Sequence, residues 1–291
     1  VKNYLKEYFL LAIMVLKSPF QLGWRRKLLF SAQSRIQKIR VSQKGTLRSL
    51  QLGEGDTPIQ TCISLKNPQV LILGCSHLML ACLYLSTNPR KILILGLGGG
   101  VLARTLAHLL PESTITNVEI DPLVAEVAKT YFYFSSNCQQ HIIIDDGRRF
   151  IESAAIDNKQ YDLIMLDAYN ATYIPNRLMT LEFLQSVKKL LAPQGVLAAN
   201  TFSASTLYDR ESATYAAVFG DFYNLKFNNR IILTKKDGLP TLATINKHAK
   251  VMEQHFNYLG INTRWLANLF TTSYDQNRSA LPLIDKHLIH Q

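Results

Sequence analysis

Glycines and carboxylates occur together in the middle of this sequence at a spacing that suits a nucleoside ligand. An apolar run at 91–95 ends in Gly96, Gly98 and Gly100, and the next apolar run ends in Glu119, 23 residues after Gly96. Glycines let a backbone turn tightly and approach a ligand where a Cβ would collide. A carboxylate at the tip of the neighbouring strand accepts hydrogen bonds from both ribose hydroxyls. The stretch predicts a nucleoside-binding loop, with a purely structural turn as the alternative.

Acidic residues also close the two predicted strands that follow. Asp146 and Gly147 come directly after one apolar run, and Asp167 ends another. In a parallel sheet, ligands bind beyond the carboxyl ends of the strands. We therefore expect Glu119, Asp146 and Asp167 to converge on one crevice. The alternative for single acids is a helix N-cap, which is favoured for Asp121 and remains open for Asp146.

The elements that would position these residues alternate regularly along the chain. Wholly apolar strands that alternate with helices predict a doubly wound, mostly parallel α/β sheet with right-handed crossovers. An antiparallel pair at 222–227 and 230–234 would close this sheet. The strands are predicted near 91–96, 115–120, 140–145, 161–167 and 195–201, and the helices near 99–110, 122–132, 147–155, 178–191 and 205–219.

Four segments are predicted along the chain. A basic helical extension at 1–35 precedes a small β-hairpin unit at 36–66, to which 59–65 would add a third strand. A Rossmann-like nucleoside-binding domain follows at 67–240, and it begins with an apolar helix near 70–85 that carries His77. A helical extension at 241–291 ends the chain.

Charge is concentrated at the start of the sequence. Residues 1–50 hold eleven of the 32 Lys and Arg residues but only one of the 21 Asp and Glu residues, so the net charge of +11 describes this arm and not the crevice. The apolar run at 8–16 is too short to span a bilayer. Three interpretations stay open for it: a packed helix, a helix lying on an anionic membrane, or a secretion signal. No nucleic-acid-binding module is recognised.

Four cysteines without CxxC or zinc-ligand spacing indicate neither a metal site nor a disulfide framework. Buried free thiols in a reducing compartment are the expectation, and with them a cytoplasmic protein.

Over roughly residues 36–235 the sequence resembles the spermidine synthase (polyamine aminopropyltransferase) family, whose fold is shared with S-adenosylmethionine-dependent methyltransferases. A small β unit ahead of the nucleotide sheet is part of the resemblance. The segments that carry it are 89–96 (PRKILILG), 118–122 (VEIDP), 146–150 (DGRRF), 161–167 (YDLIMLD) and 191–197 (LAPQGVL).

The resemblance implies roles for individual residues. Glu119 would hold the ribose, Asp146 with Gly147 the adenine edge, and Asp167 the substrate amine. Asp167 would also be the base for the attacking amine, with Tyr169, Asn170 and His77 as positioning residues. A buried, hydrogen-bonded histidine is the competing interpretation of His77.

Two positions depart from the family pattern. The fourth place of the glycine loop usually holds an acid, and here it is Gly99. The segment after the fourth strand usually carries a second Asp that helps to deprotonate the amine, and here that place is Asn170, which cannot take a proton. The stretch 174–183 is instead similar to a divergent bacterial branch of spermidine synthase-like proteins.

The leading hypothesis is transfer of an aminopropyl group from decarboxylated S-adenosylmethionine to a polyamine such as putrescine, without a metal. A small-molecule methyltransferase using S-adenosylmethionine and a non-catalytic nucleoside binder that acts through its basic arm are the alternatives. An NAD-dependent dehydrogenase ranks lower, because its glycine pattern wants a small residue where Val101 stands. The resemblance allows a homodimer, residues 1–35 allow peripheral membrane contact, and no nucleic-acid partner is expected.

Overall fold

The structure is a computed structural model that describes residues 25–168, 174–272 and 279–288. Within these residues the strands form a small antiparallel sheet and a larger, mostly parallel sheet. The small sheet consists of β1 (Lys27–Gln33), β2 (Lys38–Lys44), β3 (Leu47–Leu52) and β4 (Ile59–Ser64). The larger sheet consists of β5 (Lys91–Leu95), β6 (Thr114–Glu119), β7 (Gln140–Ile144), β8 (Tyr161–Leu166), β9 (Leu191–Thr201), β10 (Tyr223–Lys226), β11 (Arg230–Lys235) and β12 (Thr271–Thr272).

The order of strands in the larger sheet is β12-β10-β11-β9-β8-β5-β6-β7. Strands β5 to β9 are parallel to one another, and β11 pairs antiparallel with β9, β10 with β11, and β12 with β10. The chain leaves β5 toward β6 and β7 and then returns to the other side of β5 with β8. The topological switch point therefore lies between β5 and β8, where open α/β sheets bind ligands. The predicted fold class is confirmed.

Helices cover both faces of this sheet. They are α1 (Gly74–Leu80), α2 (Val101–Leu109), α3 (Pro122–Tyr131), α4 (Gly147–Ile156), α5 (Leu181–Leu190), α6 (Tyr208–Phe219), α7 (Leu242–Tyr258) and α8 (Thr263–Ala267). One core packs α1, α2 and α7 on the first face, and a second core packs α4, α5 and α6 on the other. The parallel strands are apolar along their length because both of their faces are buried.

The small sheet differs from the prediction at its first strand. Residues 27–33 were predicted within a helical arm, but they form β1, which pairs antiparallel with β2 at the sheet edge. An edge strand buries little of its surface, so its sequence carries no clear alternation. The hydroxyl of Ser34 donates a hydrogen bond of 2.6 Å to Asp121, which joins this unit to the larger sheet. The predicted helix at 1–24 lies outside the described residues.

The bounds of several other helices and strands differ from the predicted ones by a few residues. The helix predicted near 70–85 is α1 followed by a 3-10 helix, Ala81–Tyr84. Strand β9 begins at Leu191 rather than near 195 and carries a register shift against β8, with Gln194 in a left-handed conformation. The predicted C-terminal extension contains α7 and α8, but β12 returns to the edge of the larger sheet. The segment 279–288 packs Leu283 into a small apolar cluster with Ile174 and Met179.

Candidate active site

A cavity of about 240 Å³ opens at the carboxyl ends of β5, β6 and β8. Its floor is the loop after β5, and the acids predicted from the sequence stand around its rim. The small sheet supplies one wall, through Gln37, Gln60 and Thr61. The cavity lies at the switch point of the larger sheet, the position at which open α/β sheets bind ligands, and is therefore the candidate ligand site.

The glycine loop has the conformation that its sequence predicts. Gly96, Gly98 and Gly100 have φ angles of 91°, 52° and 70°, which L-residues with side chains rarely adopt. A Cβ at Gly96 would lie 2.4 Å from the backbone oxygen of Asp167. Glycine is required at this position because the ends of β5 and β8 approach each other so closely.

Glu119 is buried at the end of β6 and lines the cavity. Its Oε2 accepts a hydrogen bond from the Leu97 N–H at 3.0 Å, and its Oε1 accepts one from the Asp121 N–H at 3.0 Å. Burial raises the pKa of this carboxyl, and the hydrogen bonds from Asp121 and Leu97 oppose that rise. The two bonds fix the plane of the carboxylate and leave one lone pair on each oxygen for a ligand.

Asp146 lies at the N-terminus of α4, beside Gly147. Its Oδ1 caps the helix by accepting hydrogen bonds from the N–H groups of Arg148 at 3.1 Å and Arg149 at 3.0 Å. Its Oδ2 pairs with the guanidinium of Arg177. Burial alone would raise the pKa of Asp146, but the bonds from Arg149 and Arg177 outweigh it and lower that pKa. Asp146 thus caps helix α4 and also lines the cavity, and its contact with a ligand stays a prediction.

Asp167 follows β8 directly and faces the glycine loop. Its N–H donates to the Leu95 carbonyl at 2.8 Å, which continues the β5–β8 ladder to the cavity rim. Its Oδ1 accepts a hydrogen bond of 2.8 Å from the Asn200 side-chain amide. Burial raises the pKa of Asp167 to about 6, and the bond from Asn200 opposes that rise. A carboxyl with this pKa is a base suited to neutral pH.

Four predicted site residues are not placed in the cavity. Gly100 does not line it, although Gly96 and Gly98 do. Tyr169 and Asn170 lie outside the described residues, so their roles stay predictions. His77 does not line the cavity, and its Nε2 lies 2.9 Å from the Leu71 carbonyl oxygen. Burial lowers the pKa of His77, which favours the neutral ring. Its predicted role with substrate stays a prediction, and the observed contact is the one expected of a buried, hydrogen-bonded histidine.

Sequence reasoning assigned no role to three residues that shape the site. The Thr61 hydroxyl accepts a hydrogen bond of 2.9 Å from the Gly99 N–H, and Arg177 neutralises Asp146. Asn200 holds Asp167 from the end of β9. A signal existed only for Asn200, because it is a polar residue at the end of an apolar strand that neighbours β8.

Neither a metal site nor a membrane span emerges from the part of the chain that the structure describes. No group of three His, Cys, Asp or Glu side chains in those residues could hold a metal ion. None of the helices there has the length and apolarity needed to cross a bilayer.

A cavity with a glycine loop and acidic strand ends, at the switch point of a doubly wound sheet, defines the Rossmann-like class of α/β protein. Residues 75–253 match the spermine/spermidine synthase domain. The polyamine aminopropyltransferase of Vibrio vulnificus is 38% identical over 281 residues, 94% of this chain and 93% of that protein. This chain belongs to the spermine/spermidine synthase family, which confirms the predicted family and its transferase class.

Two solved structures share the fold. The probable spermidine synthase of Corynebacterium glutamicum superposes with a TM-score of 0.70 at 19% identity, over 88% of this chain and 96% of that one. Human methyltransferase-like protein 13, solved in complex with SAH, superposes with a TM-score of 0.57 at 30% identity, over 64% of this chain and 92% of that one. Both classes named in the sequence analysis, aminopropyltransferase and methyltransferase, are thus represented among the similar proteins.

Proposed function

We propose that this protein transfers an aminopropyl group from decarboxylated S-adenosylmethionine to an amine of a polyamine such as putrescine. Family membership supports the reaction class. The observation that carries the proposal is the position of Asp167, which stands at the switch point against the glycine loop with a pKa raised by burial to about 6.

The lining of the cavity supports an adenosyl group as the ligand. Gly96 and Gly98 line the cavity and have no side chains, so the loop offers bare backbone to a nucleoside. Glu119, held by two backbone N–H groups, would accept hydrogen bonds from the ribose hydroxyls. Ile36 and Ile120 line the cavity and are 47% and 44% exposed, which gives apolar surface for the flat adenine ring. Asp146 and Gly147 would lie at the adenine edge.

The donor supplies an aminopropyl carbon bonded to a positively charged sulfur, which is already a good leaving group. The protein's task is to align the reactants and to keep the attacking amine unprotonated. The amine nitrogen forms the new bond to that carbon while the carbon–sulfur bond breaks, and methylthioadenosine leaves with the electron pair. Asp167 takes the proton that the amine nitrogen loses.

Charge pairing around the cavity directs an amine to Asp167. Asp145 is bound by Arg149, whose Nε donates to it at 2.6 Å, and Asp146 is paired with Arg177. Asp167 forms no ion pair with any basic side chain of the described residues. Glu119 also lacks a cationic partner among these residues, but its oxygens are assigned here to the ribose hydroxyls. Asp167 is then the carboxylate that remains for an ammonium group entering the cavity.

The deciding experiment is a mass-spectrometric assay with decarboxylated S-adenosylmethionine and putrescine. We expect the wild type to form spermidine and methylthioadenosine, and Asp167→Asn to lower kcat by about 100-fold or more, the usual effect of losing a general base. Asp56→Asn, which makes the same change at an exposed position, should leave kcat unchanged. Absence of product from the wild type with putrescine and longer polyamines would refute the proposal.

Methyl transfer from S-adenosylmethionine is the second candidate, because Gly99 stands where the family usually has an acid. Thr61 and Phe132 fill the space beside Gly99, since a Cβ there would lie 2.5 Å from the Thr61 methyl carbon. Calorimetry separates the candidates: tighter binding of methylthioadenosine supports aminopropyl transfer, and tighter binding of S-adenosylhomocysteine supports methyl transfer.

A homodimer, peripheral membrane contact through residues 1–35 and a cytoplasmic location stay predictions. Light scattering of the purified protein tests the first. Flotation with anionic vesicles, comparing the full chain with a chain that lacks residues 1–24, tests the second.

A further inference from the structure

A row of two asparagine side chains stands behind Asp167. The Asn200 Nδ2 donates a hydrogen bond of 2.8 Å to Asp167 Oδ1. The Asn229 Nδ2 in turn donates one of 2.9 Å to Asn200 Oδ1. Asn200 is buried, and neither asparagine lines the cavity. The row therefore reaches Asp167 from the protein side and leaves the cavity side of its carboxylate open to a ligand.

The backbone that carries Asn229 is firmly anchored. The next residue, Arg230, opens β11 and is fully buried. Its Nε donates to Asn224 Oδ1 at 2.8 Å, and its guanidinium lies 3.9 Å from the centre of the Tyr208 ring. Strand β11 also pairs with β9, where Ile231 lies opposite Asn200. The two asparagines are thus held side by side by sheet register rather than by their own contact alone.

The chemistry of an amide makes this row directional. An asparagine side chain accepts only through its oxygen and donates only through its nitrogen. Because Asn229 donates to the oxygen of Asn200, the nitrogen of Asn200 must face Asp167. A donor aimed at a carboxylate stabilises its ionised form and fixes its orientation.

We propose that Asn200 and Asn229 are positioning residues that orient Asp167 and keep it ionised for proton transfer. The inference rests on the proposed function, in which Asp167 is the base. Asn229 acts indirectly, through Asn200, because it determines which end of the Asn200 amide faces Asp167.

Other ionisable groups face the same carboxylate and must stay constant in any test. Cys75 on α1 is one of them, and burial, together with the charge of Asp167, raises the pKa of its thiol to about 12. Around the cavity stand Glu119 from β6, Asp145 and Asp146 before α4, and Arg177 from the 3-10 helix Asn176–Leu178. None of these is altered by substitution at Asn229.

The decisive variant is Asn229→Asp, which replaces the donor with an acceptor of the same size. Asn200 would then turn its nitrogen toward the new carboxylate and present its oxygen to Asp167. We expect the Asp167 titration, followed by carbon-13 NMR of labelled aspartate in the ligand-free protein, to move upward by about one pH unit or more. The acid limb of the pH profile of kcat/KM should move by the same amount.

Asn228→Asp is the matched control. Asn228 is exposed and adjacent in the same turn, so the substitution adds the same charge without touching the row. We expect it to move the Asp167 titration by about 0.3 pH unit or less, because an exposed charge is screened. Asn229→Ala removes the donor without adding charge and should shift the titration in the same direction by a smaller amount. If circular dichroism shows that Asn229→Asp does not fold, the Asn229→Ala variant is used for the test instead.

The NMR titration separates this inference from the proposed function. A larger upward shift of the Asp167 titration in Asn229→Asp than in Asn228→Asp supports the positioning role of the two asparagines. It does so even if the wild type shows no aminopropyl transfer, an outcome that would refute only the proposed function. Equal shifts in the two variants, or no shift in Asn229→Ala, would overturn the inference whatever the activity.

Discussion

The Thr61 hydroxyl accepts a hydrogen bond from the Gly99 backbone N–H at 2.9 Å. This contact ties strand β4 of the small sheet to the glycine loop of the large one. The family's usual acid is absent from position 99, and the Thr61 methyl group lies where its side chain would begin. The small sheet therefore takes part in building the cavity and is more than an appendage to it.

Adding one methyl group at this contact should destabilise the protein. A Cβ in Gly99→Ala would lie 2.5 Å from Thr61 Cγ2 and 3.0 Å from the Phe132 ring, in a buried setting. Overpacking of this kind costs about 1–3 kcal/mol of the free energy of unfolding. Denaturant unfolding measures it. Thr61→Ser keeps the hydroxyl and removes the methyl group, so the double variant should recover part of the loss. An undiminished loss in the double variant would show that Thr61 is not the obstacle.

Glu119→Gln should weaken nucleoside binding. Both carboxylate oxygens accept backbone N–H groups, but an amide has only one accepting oxygen, so its nitrogen would face a donor. The same amide nitrogen would replace one of the two acceptors offered to the ribose hydroxyls. Losing a hydrogen bond to a charged acceptor costs about 1.5–3 kcal/mol, which is roughly a 10- to 100-fold rise in Kd for methylthioadenosine by calorimetry. Glu126→Gln, an exposed change on α3, is the control. Equal affinities of the two variants for methylthioadenosine would show that Glu119 does not bind the nucleoside.

Asp167→Asn should change the pH dependence of stability as well as activity. Burial raises the folded-state pKa of Asp167 to about 6, above its value in an unfolded chain. The folded state therefore holds the proton more tightly, and the wild type loses stability as pH rises from about 4 to 6, with no further loss from this group above that range. The amide of the variant cannot ionise, so the variant does not lose this part of the free energy of unfolding as pH rises. Relative to the wild type, the variant should gain about 1–3 kcal/mol between pH 4 and pH 8.

Thermal or denaturant unfolding of both proteins at several pH values measures this difference. Asp56→Asn, at an exposed position, is expected to follow the wild type. A difference between Asp167→Asn and the wild type that does not vary with pH would mean that Asp167 titrates normally.

The segment 279–288 should contribute to stability through one side chain. Leu283 is 6% exposed and packs against Ile174 and Met179, and its carbonyl accepts the Leu181 N–H at 2.7 Å. Leu283→Ala should cost about 2–5 kcal/mol, as buried leucine truncations do. Leu281, two residues away, is 72% exposed, so Leu281→Ala should cost less than about 0.5 kcal/mol. Similar losses in the two variants would contradict the described packing.

Most of the larger sheet could be predicted because the apolar runs and cap residues that mark its strands and helices lie within each element. Strand β5 and helix α3 lie within one residue of their predicted bounds, since an apolar run and Asp121-Pro122 mark them unambiguously. Strand β1 was missed because its pairing with β2, and not its own pattern, makes it a strand. The early start of β9 was missed because Pro193 and Gly195 are usual at breaks, yet here they lie within a bulged strand.

The sequence by itself determined the residue types at the strand ends, and with them Glu119, Asp146, Asp167 and the glycine turn. The periodicity of apolar residues and the glycines and prolines that end each element encode these features within a few residues. The tertiary structure alone decided which side chains meet them: Thr61 at Gly99, Arg177 at Asp146, and the Asn229–Asn200 row at Asp167. Such partners come from distant segments whose approach depends on sheet order and register, and no local pattern records either.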